Sequence, residues 1–299
     1  MREILRRLFA LALFLFLLPC AGFADVLADE EESIEPDPAL ITYLDLGEKK
    51  MKLSEVEAIL DRYPNLKKVD MFATPVNYRQ VDELEARYPG VEFGWTLRIG
   101  DDHLVRTDAT AFSTLHLSGS ATHGTREISL FRYCKKLKAL DFGHNGCDDV
   151  SWLSELKELR VLIIAINRVE DISALANLKK LEYLEIFNNY ITDISPLKGL
   201  THLMDLNISY NNIQDLSPLY EMPWLRRLWL YRCTDRNSGA LLPQEVISTL
   251  KEKLPACEIN YQSNPTAGTW RQHPHFDVIH AMFRSDGYVP FADSFPEEN

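Results

Sequence analysis

The chain has 299 residues, of which 44 are acidic and 32 are basic, so its formal net charge is −12. Nucleic acids and anionic lipids are bound by basic surface. This balance argues against a nucleic-acid partner and against a general attraction to anionic membranes.

Residues 1–24 have the features of a secretory signal peptide. The basic segment Met1–Arg7 precedes an uninterrupted apolar run, Leu8–Leu18, and Gly22-Phe23-Ala24 puts small residues where a cleavage site needs them. The apolar run is shorter than the roughly 18 to 20 residues of a membrane-spanning helix, so we expect no membrane span. Lipid attachment at Cys20 is the alternative to simple secretion, although Pro19 departs from the small residue usual in bacterial lipoproteins. We expect a secreted or cell-envelope protein.

An acidic leader and a set of long, irregular repeat units follow. Residues 25–38 combine acidic side chains with prolines, which is typical of a flexible segment. In residues 39–111, strand-like segments alternate with predicted amphipathic helices at about 54–62 and 77–88. These strand-like segments are Tyr43–Leu46, Val69–Met71 and Val91–Trp95. We expect them to open one continuous sheet, with a hairpin around Gly100–Asp102 inserted before the regular repeats.

Residues 112–235 contain a repeat with a period of 22 residues. Each unit begins with a short strand of alternating side chains, and three positions of the unit hold large apolar residues. These positions are Leu137, Leu159, Leu181, Leu203 and Leu225; Leu140, Leu162, Leu184, Leu206 and Leu228; and Phe142, Ile164, Ile186, Ile208 and Leu230. One unit cannot bury its own apolar face, so the period predicts a solenoid of stacked units.

Polar columns accompany the apolar ones. They are Asn145, Asn167, Asn189 and Asn211, with Cys233 at the fifth turn, and Asp149, Asp171, Asp193 and Asp215, each aspartate being followed two residues later by a serine. We expect the asparagine amides to bond backbone groups that would otherwise be buried unpaired. We expect the aspartates and serines to do the same at the return turn.

The repeat resembles the 22-residue leucine-rich repeats of bacterial internalin-type proteins, notably in Asp193–Leu197 and Asp215–Leu219. The resemblance covers about residues 134–235. It implies an α/β solenoid, a right-handed horseshoe with a parallel sheet on its concave face, and a role in recognition. We see no cell-wall sorting signal, no immunoglobulin-like module after the repeats and no clear match to an internalin N-terminal cap. A role in host-cell invasion therefore does not follow.

Residues 236–299 are predicted to be a C-terminal β-α unit and a capping tail. Leu254–Tyr261 matches Tyr88–Trp95 position by position, and a helix is predicted at about 243–253, so the irregular unit type also closes the solenoid. In the tail, Phe276, Ile279 and Phe283 share one helical face. We expect this face to cover the last exposed edge of the core.

The cysteines after the signal align with core positions of the repeat. Cys134 falls in a column of leucines, Cys147 in a column of branched apolar residues, and Cys257 aligns with Val91. We favour buried free thiols, which behave as small hydrophobic groups. A disulfide between Cys134 and Cys147 is the alternative, because spacing alone does not test its geometry.

Two features of the sequence concern metal binding and catalysis. His273, His275, Asp277 and His280 form a dense group of potential zinc or nickel ligands, but their spacing matches no closed ligand pattern, and we favour capping residues over a metal site. No nucleophile motif, phosphate-binding loop or thiol-redox pair is present. We expect no cofactor and no enzymatic activity, leaving a carbohydrate-active site with two converging carboxylates as a remote alternative.

The strand residues between the inward leucines should point to the concave side, because side chains alternate across a sheet. Aromatic and charged residues are prominent among them, and Trp, Tyr and Arg dominate the energy of many interfaces. The candidate ligand-binding residues are Ile163, Tyr183, Glu185, Phe187, Asp205, Asn207, Tyr210, Arg227, Trp229 and Tyr231.

We expect this face to bind a protein, a peptide or a cell-surface polymer. Alternatively, the C-terminal tail or a second copy of the chain covers the aromatic rings of this face. A structural envelope or matrix protein without a dedicated ligand is the alternative for the function. The oligomeric state does not follow from the sequence.

Overall fold

The computed structural model describes residues 37–100, 103–115, 123–237, 242–264, 269–285 and 287–296. The predicted signal peptide and nearly all of the acidic leader lie outside these residues. Within them, twelve short strands alternate with helices and with single turns of 3-10 helix. The described residues contain no helix that is long and apolar enough to cross a membrane.

The first three strands, β1 (Tyr43–Asp45), β2 (Lys68–Asp70) and β3 (Glu92–Gly94), form a parallel sheet of their own, connected by helices α1 (Leu53–Leu60) and α2 (Tyr78–Arg87). The expectation that they open one continuous sheet is wrong. Strands β4 (Thr96–Ile99) and β5 (His103–Arg106) pair antiparallel between this sheet and the next. The carbonyl of Trp95 accepts the amide of Thr107 at 2.9 Å, so the backbone of Trp95 pairs with the hairpin instead of with a further parallel strand.

The main sheet has seven parallel strands that follow one another in chain order. They are β6 (Ala111–Ser113), β7 (Ala139–Asp141), β8 (Val161–Ile163), β9 (Tyr183–Glu185), β10 (Asp205–Asn207), β11 (Arg227–Trp229) and β12 (Glu258–Asn260). Leu162, Leu184, Leu206 and Leu228 are direct partners across successive strands. The sequence period therefore equals the strand register, which confirms the predicted solenoid.

The return arcs differ between regular and irregular units. In the regular units each arc is one turn of 3-10 helix, as in Ser173–Asn177 and Ser195–Gly199. A short helix α3 (Thr125–Ile128) leads into the 3-10 turn Ser129–Tyr133, and helix α4 (Gln244–Lys253) fills the arc before β12. Asp171 Oδ1 accepts the amide of Ser173 at 2.7 Å, and the other aspartates of the column make the same contact. The predicted turn chemistry is confirmed.

The asparagine column forms a ladder inside the solenoid. Asn189 Nδ2 donates to the carbonyls of Ile164 (3.0 Å) and Ile186 (3.2 Å), and its Oδ1 accepts the amide of Val169 (3.0 Å). Asn167 and Asn211 repeat these contacts one unit away. Each amide thus satisfies backbone groups of neighbouring units, as predicted.

One apolar core runs through the described solenoid from Val56 in α1 to Leu254 after α4, although the sheet above it is divided. Cys134, Cys147 and Cys233 are fully buried in it, and Cys257 packs against it. All four are free thiols, so the alternative bridge between Cys134 and Cys147 is not formed. Burial raises the pKa of the Cys147 thiol to about 11, which leaves it protonated and unreactive.

A second apolar cluster lies on the opposite side of the sheet. Its floor is the outward side chains of the strands, and its cover is Trp270, helix α5 (Pro274–Ser285) and Phe291. The expectation that the tail covers the last edge of the solenoid core is therefore wrong. The apolar side of α5, with Ile279 and Phe283, packs on the concave face instead, because the outward side chains of the strands there are largely apolar.

Candidate functional site

The alternation of the strands brings the ten candidate residues to one face, but that face is not open. Eight of them are buried, and only Tyr210 and Tyr231 are partly exposed. The buried ones are Ile163, Tyr183, Glu185, Phe187, Asp205, Asn207, Arg227 and Trp229. The interpretation of this face as solvent-exposed is wrong, because residues 269–296, called here the C-terminal segment, cover it.

An aromatic group anchors the C-terminal segment. The Trp270 ring lies 5.3 Å from the Tyr183 ring and 5.4 Å from the Trp229 ring, and the Arg227 guanidinium lies 4.5 Å from its centre. The Trp270 indole N–H donates to Glu185 Oε1 at 2.5 Å, and the Tyr183 hydroxyl donates to the same oxygen. Trp270 is thus held by ring packing, a cation and a hydrogen bond to a carboxylate.

A buried ion network ties α5 to the middle of the sheet. Arg227 binds both oxygens of Asp205, at 2.8 and 2.7 Å. His275 lies between two carboxylates, with Nδ1 2.5 Å from Asp205 and Nε2 2.8 Å from Asp293, and Arg226 pairs with Asp293 on the outside. The segment therefore adds an imidazole to a charge pair that the strands already contain.

The charges of this network shift the pKa of His275 and of Asp205. Burial by itself would lower the pKa of His275, but the hydrogen bonds and charges of Asp205 and Asp293 outweigh it, so the pKa lies above its usual value. Burial acts to raise the pKa of Asp205, yet His275 and Arg227 bring it below its usual value. Both directions favour an imidazolium between two carboxylates.

A second polar contact fixes the end of the C-terminal segment. Arg160 and Glu182, both buried, form a salt bridge of 2.6 Å. The Ser294 hydroxyl donates to Glu182 Oε2 at 2.6 Å, and the amide of Phe295 donates to Oε1 at 3.2 Å. Arg160 in turn donates to the carbonyl of Phe295 at 3.2 Å. The two ends of the segment are thus each held by an Arg–carboxylate pair of the sheet.

Two of the four potential metal ligands of the sequence analysis, His273 and His275, lie together with Asp205 in the structure. Ligand atoms of Asp205, His273 and His275 lie within 4.8 Å of one another. However, both oxygens of Asp205 hold the Arg227 guanidinium, and both nitrogens of His275 face carboxylates. A dication there would meet a fixed positive charge and would have to displace these bonds. The arrangement fits ion pairing better than metal ligation.

Part of the concave side is open beyond the C-terminal segment. Tyr210 and Tyr231 meet edge to face at 5.3 Å, and the Arg232 guanidinium lies 5.8 Å and 5.2 Å from their rings. We call these three side chains the tyrosine rim. Nearby, Tyr190 is 42% exposed and contacts Arg236 at 4.4 Å. The rim is the described part of the candidate face that a partner can reach directly.

Sequence reasoning gave coverage of the rings by the C-terminal tail as an alternative, which the structure favours, but did not identify the residues that bind the face. Trp270 and Asp293 were not singled out, and His275 was considered only as a ligand or a capping residue. A usable signal was present: Asp205 and Arg227 carry opposite charges between apolar rings on one face, at positions that are direct neighbours across two strands. Charged side chains among apolar rings need polar or charged groups on whatever segment buries them.

Comparison with known proteins agrees with the repeat. The family model described as leucine-rich repeats (2 copies) matches residues 157–199. No curated protein sequence matches the chain.

Solved structures that resemble the chain include two internalins of Listeria monocytogenes. Internalin C2 has a TM-score of 0.36 at 24% identity, covering 64% of this chain and 71% of its own, and internalin F has a TM-score of 0.37 at 19% identity, covering 70% and 66%. A leucine-rich-repeat protein of Leptospira interrogans has a TM-score of 0.39 at 16% identity, covering 76% of this chain and 56% of its own. The matched repeats, the 22-residue register and the parallel sheet show that the chain folds as an α/β leucine-rich-repeat solenoid.

Proposed function

We propose that the protein is an exported binding module that recognises a partner protein, peptide or cell-surface polymer through its concave face, in competition with its own C-terminal segment. Leucine-rich-repeat solenoids are interaction modules whose concave sheet provides an extended binding surface. Here that surface is already occupied by part of the same chain, so an external partner has to displace the segment or begin on the tyrosine rim.

Two unsatisfied donors carry this proposal. Asn207 and Trp229 are direct neighbours across β10 and β11, and both are buried. The Asn207 side-chain amide and the Trp229 indole N–H have no hydrogen-bond acceptor among the described residues. A buried donor without a partner costs about 1 to 3 kcal/mol. A ligand that brings a carbonyl or carboxylate oxygen to this place recovers that free energy, so the C-terminal segment is not the best ligand for the face.

The chemistry of the covered face also supports a polypeptide partner. The face binds the C-terminal segment through an indole, a histidine and the amide and carbonyl of Phe295. A partner peptide can offer the same groups. The tyrosine rim adds Tyr and Arg side chains, which are enriched among residues that dominate binding energy.

The experiment is capture of cell-surface material by the immobilised full chain. Trp270→Ala removes the ring between Tyr183 and Trp229, and we expect this to weaken the contact of the C-terminal segment with the concave face. The variant should then capture several-fold more of the same partner than the unmodified chain. Val289→Ala is the matched control, because this side chain belongs to the same segment and is 48% exposed.

Equal capture by both variants and the unmodified chain would contradict competition with the C-terminal segment. Absence of any partner with all three proteins would favour the alternative, a structural protein of the envelope or matrix without a dedicated ligand.

A further inference from the structure

A cavity of about 210 Å³ lies between the first strands of the main sheet and the C-terminal segment. Asp141, Glu185 and Phe187 line it from the sheet, and Arg271, Phe276 and Phe283 line it from the segment. A cavity of roughly 150 Å³ holds a benzene molecule. This one therefore has room for a small aromatic or alkyl compound, and its walls combine three rings with two carboxylates.

The carboxylates are buried but not fully used by the protein. Asp141 accepts the amide of Gly143 and the hydroxyl of Ser113, both at 2.9 Å. Glu185 is only 3% exposed, and the bonds from Trp270 and Tyr183 both go to its Oε1. Oε2 of Glu185 accepts no hydrogen bond from any described residue. An oxygen with free acceptor capacity is thus available where Glu185 lines the cavity.

Nearby cations only partly offset the burial of these acids, because Arg271 acts to lower the pKa of both and Arg227 acts to lower that of Glu185. Burial raises the pKa of Asp141 to about 6, and it also raises the pKa of Glu185. Burial lowers the pKa of His144 and His280, which line the same cavity, and so favours their neutral forms. Arg271 is the one cation among the described lining residues. It is exposed, and its guanidinium lies 5.5 Å from the Phe276 ring.

We propose that this cavity binds a small organic ammonium ion, with the charged group against Glu185 and Asp141 and the apolar body against Phe187, Phe276 and Phe283. An anion would meet two carboxylates, and a neutral compound would leave their desolvation uncompensated. An ammonium group donates to both acids and favours their charged forms. This ligand differs from the macromolecular partner proposed above, although Glu185 and Phe187 belong to both candidate sites. Because its walls belong to both the sheet and the segment, its ligand would also hold the segment in place.

The test is calorimetric titration of the full chain with phenethylammonium. Phenethyl alcohol has nearly the same shape without the charge, and phenylacetate carries the opposite charge. We expect saturable binding of the ammonium compound and at least about tenfold weaker binding of the other two, which is the usual effect of one lost charge-assisted hydrogen bond. Equal affinities for the charged and neutral compounds, or no binding of phenethylammonium at millimolar concentration, would overturn the proposal.

A variant pair and a spectroscopic signal locate the site. Glu185→Gln should weaken phenethylammonium binding at least about tenfold, whereas Glu83→Gln, an exposed position on α2, should not change it. The Trp270 indole N–H, which donates to Glu185, should shift its proton resonance during titration of the unmodified chain. This signal decides the question even if Glu185→Gln does not fold, since an unshifted resonance would place the ligand elsewhere. None of these measurements needs the macromolecular partner, so this proposal and the proposed function fail separately.

Discussion

The solenoid core and the cluster on the concave face exclude water by different means. In the core, leucines are stacked in register and the buried polar groups include neutral amides such as Asn189, which bonds four backbone groups. In the concave cluster, the rings surround charged groups, with Asp205 shared between Arg227 and His275.

Neutral amides keep their hydrogen bonds at every moderate pH, whereas an ion network changes with protonation. A buried ion pair also returns little net free energy after its desolvation cost. The comparison therefore indicates that the solenoid core supplies the global stability of the protein. The contact of the C-terminal segment with the concave face is weaker and depends on pH. The four predictions that follow test this difference, from the largest expected effect to the smallest.

Leu184→Ala should destabilise the whole protein most. Leu184 is fully buried between two leucines of the same column, and the substitution removes apolar contacts and leaves a cavity. The free energy of unfolding should fall by about 2 to 5 kcal/mol, measured by denaturant titration. Thr192→Ala, at an exposed site between β9 and β10, is the control and should change it by less than about 0.5 kcal/mol. An unchanged midpoint for Leu184→Ala would contradict the register.

Asn189→Ala should cost less, but should still act on the core. It removes the amide that bonds Val169, Ile164 and Ile186 and leaves buried backbone groups unpaired. We expect a loss of about 1 to 3 kcal/mol in the free energy of unfolding. Asn177→Ala, an exposed asparagine of the neighbouring arc, is the matched control. Equal effects of the two substitutions would show that the ladder does not contribute to stability.

Raising the pH should loosen the C-terminal segment and leave the core intact. The pKa of His275 is raised in the folded chain, so its contribution is fully present below the unfolded value of about 6.5 and is lost as the pH rises through the folded value. Asp205, Asp293 and Arg227 face the imidazole, together with His273, and Arg226 pairs with Asp293.

Hydrogen exchange of the α5 amides, corrected for the intrinsic effect of pH, measures this change. For each pH unit by which the folded pKa of His275 exceeds the unfolded pKa, the equilibrium between the docked and undocked C-terminal segment changes about tenfold. His275→Gln should reduce the pH dependence while amides of the solenoid core keep their protection. A pH dependence of the same size in that variant would assign the effect to other groups, such as Asp141, whose pKa of about 6 lies in the same range.

Tyr210→Ala should have the smallest effect on stability. Its ring belongs to the tyrosine rim and is only partly buried, so we expect a change below about 1 kcal/mol in the free energy of unfolding. Trp229→Ala at the covered end of the same face should cost several times more, because Trp229 is 1% exposed. Thermal melts of the two variants decide this. A large loss for Tyr210→Ala would mean that the rim is also part of the packed cluster.

The repeat geometry could be predicted from the sequence because it is periodic. Leu162, Leu184 and Leu206 are equally spaced in the chain and adjacent in the sheet, so the period alone gives the register, the inward side chains and the polar ladder. The same alternation correctly assigns Glu185 and Asp205 to one face.

What covers that face could not be read from any period. Trp270 and Glu185, which share a hydrogen bond, are 85 residues apart, and no spacing rule relates them. The helix pattern of Phe276, Ile279 and Phe283 correctly indicates an apolar face, but the terminal edge of the core and the concave sheet are both apolar targets. Only the distribution of charges on the sheet distinguishes them, since Asp205 and Arg227 need a polar partner such as His275.

The position of the C-terminal segment in the chain has a consequence for the time at which the face is covered. A chain emerges from the ribosome with its amino end first, and residues 269–296 follow every strand of the main sheet. The stacked units hold their own leucine core without Trp270 or α5. We therefore expect that the repeats can fold before the segment covers their aromatic surface. A molecule present in that interval would meet the surface uncovered, so the order of events as well as affinity would affect what the face binds.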